Sequence, residues 1–305
     1  MEGYNSMTTN IGTINRQWKS NARKQGATQD TGTAVIQLRP NELPDYNPKE
    51  TDADIKKKLK ERFEILEAMT EDAISGEVRG LIVSGPPGVG KTYQIDKALE
   101  EYDETGELYT TSSGYVKATG LYKLLYKHRH KNQIVKFDDA DSVWFDENAL
   151  NFMKIATDSI NKRILTYGAE YNMVDDDGTP IPRSFEFEGS AIFVTNLDFD
   201  RQIDRGTKLA PHMEAMISRS HYIDLGMKTK RDYLVRIYMV AEQGFLKNIG
   251  LDDAMQLEVL NYIANNMGHL RELSLRMALK IGTLRKSKPA SWERIANLTC
   301  CRGIS

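Results

Sequence analysis

One octapeptide constrains this chain more than anything else in it. Gly85-Pro-Pro-Gly-Val-Gly-Lys-Thr92 fits the pattern G-x-x-x-x-G-K-[ST] and lies between an apolar run, Gly80-Leu-Ile-Val-Ser84, and a segment with helical spacing. Glycines at these places let successive backbone N–H groups turn inward at a helix N-terminus, where they cradle phosphate oxygens. In such a loop Lys91 reaches the β- and γ-phosphates and the Thr92 hydroxyl ligates Mg²⁺. The expected ligand is therefore ATP with Mg²⁺, held by Gly85, Pro86, Pro87, Gly88, Val89, Gly90, Lys91, Thr92 and the following Tyr93.

A phosphate loop needs an acid at the end of a neighbouring buried strand to hold the metal. Gln133-Ile-Val-Lys-Phe-Asp-Asp139 supplies a pair of them, with Asp138 lying 47 residues after Lys91. Asp138 suits the metal, together with Thr92, and Asp139 is placed to orient or activate the attacking water.

The surrounding pattern alternates. Strands are expected at Leu81–Ser84, Glu107–Thr110, Gln133–Phe137, Ala191–Thr195 and Tyr222–Leu225, with helices at Tyr93–Tyr102, Leu121–His128, Ala149–Ile160 and Ala210–Ile217. Such alternation argues for an α/β fold with a parallel sheet covered on both faces. Thr51 caps a preceding helix with Asp54 as its partner, Ile55, Leu59, Phe63 and Leu66 repeat at helical spacing, and Gly76 ends the run. After Gly226 the periodicity is purely helical. Three helices are marked by Tyr233 to Tyr238, by Met255 to Ile263, and by Leu270, Leu273, Met277 and Ile281. The expected organisation is a polar tail over 1–50 with one short strand at Ala34–Leu38, an α/β core over 51–226 and a small all-α domain over 227–305.

Within that order the chain resembles the AAA+ ATPases, over roughly residues 51–285. Ala191-Ile-Phe-Val-Thr-Asn196 is similar to the family's sensor 1 strand, which implies that Asn196 holds the lytic water. Ile217-Ser-Arg219, just before Tyr222-Ile-Asp-Leu225, matches the position of the arginine finger, which serves a neighbouring subunit's nucleotide. Gly268-His-Leu-Arg271 opens a helix of the terminal domain, as the sensor 2 arginine does, and the domain itself corresponds to the family's lid. The implied catalytic set is Lys91, Asp138, Asp139, Asn196, Arg219 and Arg271. The implied assembly is a homo-oligomeric ring, with a hexamer among the candidates. One departure stands out: most members carry Asp-Glu where this chain has Asp138-Asp139, and the shorter second acid acts through a more distant water.

Two segments bear on what the ATP drives. Arg163-Ile-Leu-Thr-Tyr167 and Ser184-Phe-Glu-Phe-Glu188 alternate like strands around the turn Asp175-Asp-Asp-Gly-Thr-Pro180, giving a β-hairpin insertion near 163–188. That insertion is similar to one in a clade of branch-migration helicases and unfoldases. Ser113-Gly-Tyr-Val-Lys117 stands where AAA+ motors place a substrate-gripping loop. Gly114-Tyr115-Val116 is similar to the aromatic–aliphatic loop of protein unfoldases, and Tyr115 beside Lys117 equally suits a stacked base and a phosphate. The Leu121-Tyr122…Leu125-Tyr126 helix, Phe137-Asp-Asp-Ala-Asp141 and Phe185-Glu-Phe-Glu-Gly189 resemble ATPases encoded by tailed bacteriophages. That resemblance names no substrate and does not establish a viral source; the leading reading is a ring-forming ATPase that acts on DNA in phage replication, recombination or packaging. A protein-remodelling ATPase and a slow-hydrolysing ATP-dependent switch are the alternatives, with a protein substrate or adaptor as the partner.

Composition limits the remainder. A net charge of −2 gives no global field for nucleic acid, so DNA has to bind through a local site. Lys127-His-Arg-His-Lys131 is a dense basic cluster that either touches phosphates or, the reading put first, is a solvated helix end. No run approaches the ~20 apolar residues of a membrane helix. Two adjacent cysteines, Cys300 and Cys301, read as reduced thiols in a cytoplasmic protein, the host's cytoplasm if the source is viral.

Overall fold

The computed structural model describes residues 50–168 and 173–303. The expected tail and its strand at Ala34–Leu38 lie outside the described residues. The described residues divide into two compact units, Lys58–Gly226 and residues 50–57 together with 227–303. Each is described by itself.

The first helix, α1 (Asp52–Ser75), starts where its chemistry predicts. Asp54 N–H donates to Thr51 Oγ1 at 3.2 Å and Thr51 N–H donates to Asp54 Oδ2 at 2.9 Å. This reciprocal cap satisfies two helix-end donors. Gly76, at φ +84°, ends the helix in a left-handed conformation.

The larger unit is built on β1 (Gly80–Ser84), β2 (Tyr109–Ser113), β3 (Ile134–Asp138), β8 (Ser190–Thr195) and β9 (His221–Asp224). They form one sheet in the order β2-β3-β8-β1-β9, and every neighbouring pair is parallel. Between them run α2 (Lys91–Tyr102), α3 (Ala118–Lys127), α4 (Glu147–Ala156), α5 (Phe199–Asp204) and α6 (Ala210–Ile217). The α/β class with a parallel sheet flanked by helices, followed by a helical region, is the one the sequence implies. Alternation along the strands sends Ile82, Val135, Phe137, Ala191 and Phe193 into one large apolar cluster with Leu121, Trp144, Phe152 and Met216. Phe137 and Phe193 stack at 5.0 Å across the β3–β8 pair.

Boundaries moved where short-range signals compete. The second strand begins at Tyr109, not Glu107, because Asp103 ties down the turn before it, accepting from Thr105 N at 3.0 Å and Leu108 N at 2.6 Å. Helix α4 stops at Ala156, short of Ile160. The Thr157 hydroxyl bonds back to Met153 O at 2.9 Å, and the Asp158 carboxylate caps Ile160 N at 3.1 Å, drawing the chain into a turn.

The hairpin insertion is present. Here β4 (Ile164–Thr166) pairs antiparallel with β7 (Ser184–Glu186), and nearer the tip β5 (Met173–Val174) pairs with β6 (Pro180–Ile181). Gly178, at φ +84°, makes the turn between them. The hairpin base is pinned by aromatic packing: Tyr122 of α3 meets Phe185 at 4.9 Å, Tyr167 at 5.4 Å and Phe152 of α4 at 5.2 Å. The Tyr122 hydroxyl donates to Pro182 O at 3.0 Å. Each such ring pair adds about 1 kcal/mol beyond the area it buries.

In the other unit lie α7 (Lys230–Glu242), α8 (Asp253–Asn266), α9 (Leu275–Ser287) and α10 (Trp292–Cys300). Their shared core includes Ile237, Val259, Ile263, Ala278, Ile281 and Ala296. The helix expected to include Leu270 and Leu273 starts later. Ser274 caps it by accepting from Met277 N at 3.1 Å, and Leu270 instead makes a β-bridge with Cys301. Cys300 and Cys301 are free and buried. Among the described residues, no helix is long and apolar enough to cross a membrane.

Candidate functional site

Residues 85–90 leave the C-terminal end of β1 and turn into α2, whose first residue is Lys91. Gly88 and Gly90 take φ of +72° and +100°, left-handed values that side chains with a Cβ rarely adopt. A Cβ at Gly85 would lie 3.2 Å from Leu225. Pro86 and Pro87 carry no N–H, so the inward-facing donors are left to the remaining residues of the loop and the first turn of α2.

Lys91 is 5% exposed. Its ammonium donates to Gly85 O at 2.6 Å, Pro86 O at 2.9 Å and Asn196 Oδ1 at 2.9 Å. Next to it, Thr92 Oγ1 donates to Asp138 Oδ1 at 3.1 Å. A buried cation inside a glycine cradle, beside a hydroxyl–carboxylate pair, is a donor set that fits nucleotide phosphates and a hard divalent cation.

The parallel register explains why distant residues converge. Ser84, Thr195 and Asp138 occupy the same end of adjacent strands, since Ser84 pairs with Thr195 and Asp138 with Val194. Asp139, one residue past β3, adopts φ +51° and donates its N–H to Val194 O at 3.2 Å. Asn196, one residue past β8, donates from Nδ2 to Asp139 Oδ1 at 2.8 Å while its Oδ1 accepts from Lys91. One amide therefore links the buried lysine to the second acid. Lys91, Thr92, Asp138, Asp139 and Asn196 form one constellation.

A further acid joins them. Asp141 Oδ1 accepts from Thr195 Oγ1 at 2.6 Å. Burial pushes its carboxyl above the usual range, the Thr195 hydrogen bond opposes this, and the Asp139 charge adds to the rise. The sequence placed Asp141 only within the Phe137–Asp141 segment, because nothing local marks Thr195 as its partner. A 3₁₀ turn, Asp141–Phe145, follows and was not expected. Ser142 in that turn accepts from Val116 N at 3.0 Å and donates to Gly114 O at 3.4 Å. The loop after β2 is thereby fastened to the turn that follows the acids. Val116 is buried at 8%, whereas Tyr115 is 77% exposed and Lys117 is exposed too.

Two more expected residues of this unit lie outside that constellation. Tyr93, on α2, is 71% exposed. Arg219 lies before the first residue of β9, and Leu81 pairs with His221 while Ser84 pairs with Asp224. Arg219 is thus at the end of the sheet opposite the glycine loop, the length of β9 away. It donates to Ala215 O at 2.9 Å and forms an ion pair with Asp158 at 3.2 Å.

Arg271 belongs to the helical unit, is exposed, and sits in the bend before Ser274 instead of opening a helix. Its N–H donates to Cys300 O at 2.8 Å. The basic cluster is also less uniform than its sequence. His128 is buried, and desolvation lowers its pKa, while Arg129 lies over the Tyr126 ring at 4.1 Å.

No protein-family model matches the chain. Over 250 residues it is 37% identical to the uncharacterized 36.7 kDa protein of the nrdC–mobD intergenic region of Enterobacteria phage T4. That match covers 81% of this chain and 76% of the phage protein. The chain belongs to the family of that phage T4 protein. Among solved structures it is similar to the RuvB Holliday junction branch migration motor of Thermotoga maritima, with 15% identity and a TM-score of 0.42 over 77% of this chain. It is also similar to NtrX from Brucella abortus in complex with ADP, with 12% identity and a TM-score of 0.42 over 92% of this chain. Drosophila ORC bound to DNA gives 12% identity and a TM-score of 0.42 over 94%. The chain spans 62% of the RuvB chain, 57% of the NtrX chain and 70% of the ORC chain.

Proposed function

We propose that the chain is an AAA+ ATPase that hydrolyses ATP with Mg²⁺ at the interfaces of a ring-like homo-oligomer. The observation that carries this reading is the Asn196 bridge between Lys91 Nζ and Asp139 Oδ1, at 2.9 and 2.8 Å, with Thr92 and Asp138 beside it. In this reading residues 85–92 hold the phosphates, and Thr92 and Asp138 hold the cation. Asn196 and Asp139 orient the attacking water, and Asp139 takes up its proton. Bound Mg²⁺ would neutralise phosphate charge as the terminal bond breaks. Arg219 and Arg271 complete the set as arginine finger and sensor 2.

Asp139→Ala is expected to retain ATP binding and to lower the steady-state rate of phosphate release about a hundredfold. Equal, low rates for wild type and variant would identify an ATP-gated switch instead of a hydrolase.

The polymer we assign is DNA, handled during phage replication, recombination or packaging in the cytoplasm of the infected cell. Support comes from the loop after β2. Because Val116 is buried and its N–H bound, the loop presents Tyr115 and Lys117, an aromatic face and a cation, without an aliphatic partner. That pairing suits a stacked base and its phosphate. Single-stranded DNA is expected to stimulate hydrolysis several-fold at low salt, the effect falling steeply with added salt and disappearing in Tyr115→Ala. Stimulation by an unfolded polypeptide but not by DNA would favour the protein-remodelling reading.

A further inference from the structure

The inner strand β3 contains a lysine where its neighbours are apolar. Ile134, Val135 and Phe137 are buried, and the Lys136 side chain is only 1% exposed. Alternation turns Lys136 away from the face of Val135 and Phe137. Its ammonium forms an ion pair with Asp96 of α2, the helix that begins at Lys91, and lies 3.7 Å from Asp138 Oδ2. The other oxygen of Asp138 accepts from Thr92. A buried ammonium is strongly disfavoured without partners, and here both partners are carboxylates, one of them Asp138 of the candidate site.

We propose that Lys136 and Asp96 are a charge-setting pair for the divalent-cation position. Lys136 is a positioning residue: it engages one oxygen of Asp138 and leaves the other facing Thr92. Its fixed positive charge also weakens the hold of Asp138 on a cation, and Asp96 offsets that charge. The Asp96 side chain is 36% exposed, so it tolerates loss of its partner better than Lys136 does. The inference rests on the reading that Thr92 and Asp138 hold the metal.

The test is Mn²⁺ binding to the full chain in the presence of ADP, followed by the loss of the free Mn²⁺ paramagnetic resonance signal. Lys136→Met removes a positive charge and is expected to lower the half-saturating Mn²⁺ concentration roughly tenfold. Asp96→Asn removes a negative charge and is expected to raise it several-fold, to about the same order. The double variant returns close to wild type. A purely structural role would weaken binding in both single variants, so shifts of the same sign, or shifts below twofold, overturn the inference. Should Lys136→Met fail to fold, Asp96→Asn and the double variant retain the sign test. Failure of the metal reading looks different: wild type and Thr92→Ala would then take up Mn²⁺ equally with ADP bound.

Discussion

Lys91→Ala is expected to reduce ATP hydrolysis by at least about a thousandfold and to weaken nucleotide binding along with it. The size follows from what the ammonium does. It is buried, and it gathers the carbonyls of Gly85 and Pro86 and the amide of Asn196 around one charge. Removing it leaves two carbonyls facing the place where phosphate oxygens would sit, and like partial charges repel there. It also releases the Asn196 amide that Asp139 depends on for its orientation. Lys91→Arg is expected to fare little better, since a planar guanidinium cannot occupy a point-charge position among three acceptors. Phosphate release and binding of a fluorescent ADP analogue measure both losses. Hydrolysis within tenfold of wild type would remove the loop from the chemistry.

Arg219→Ala is expected to lower the rate per subunit about a thousandfold while leaving ATP affinity unchanged. The register of β9 against β1 puts Arg219 at the wrong end of the sheet to reach its own glycine loop. If it acts on a nucleotide, that nucleotide belongs to another subunit. Its pair with Asp158 does not prevent this. The side chains are 35% and 25% exposed, and such partly solvated pairs contribute about 1 kcal/mol or less, so a neighbouring subunit can draw the arginine away. Mixing the Lys91→Ala and Arg219→Ala proteins gives the decisive measurement. If the proposed ring forms and each variant is inactive alone as expected, a mixed ring contains interfaces where an intact loop meets an intact arginine, and activity is expected to return in part. A mixture as inactive as its components would exclude the shared site.

Much of the candidate site's geometry was legible in the sequence. The glycine loop, the Asp138–Asp139 pair and Asn196 each follow a short apolar run, and strand ends converge in a parallel sheet whatever the sequence distance between them. The hairpin was legible because its two strands alternate and a polar turn separates them. Other features were hidden for physical reasons. The turn Asp141–Phe145 and the helix Phe199–Asp204 are too short to establish a period. Lys136 looks like an ordinary polar strand residue until Asp96, 40 positions earlier, is seen to cover it. Leu270 and Leu273 continue the helical spacing of Met277, so only the Ser274 cap shows where that helix begins. The last helix carries a sequence signal of its own, with Trp292, Ala296 and Cys300 buried at intervals of four.

The backbone at position 139 has a consequence for how this site can change over evolutionary time. With φ at +51°, the residue sits in a region that aspartate and asparagine enter more readily than longer acids do. The missing methylene relative to the usual glutamate is then tied to the main chain and is not a free choice of side chain. A glutamate gained here by a single mutation would have a longer reach but would carry a conformational penalty of about 1 kcal/mol or more. Unless a neighbouring change relaxed the turn after β3, the position would be held at aspartate.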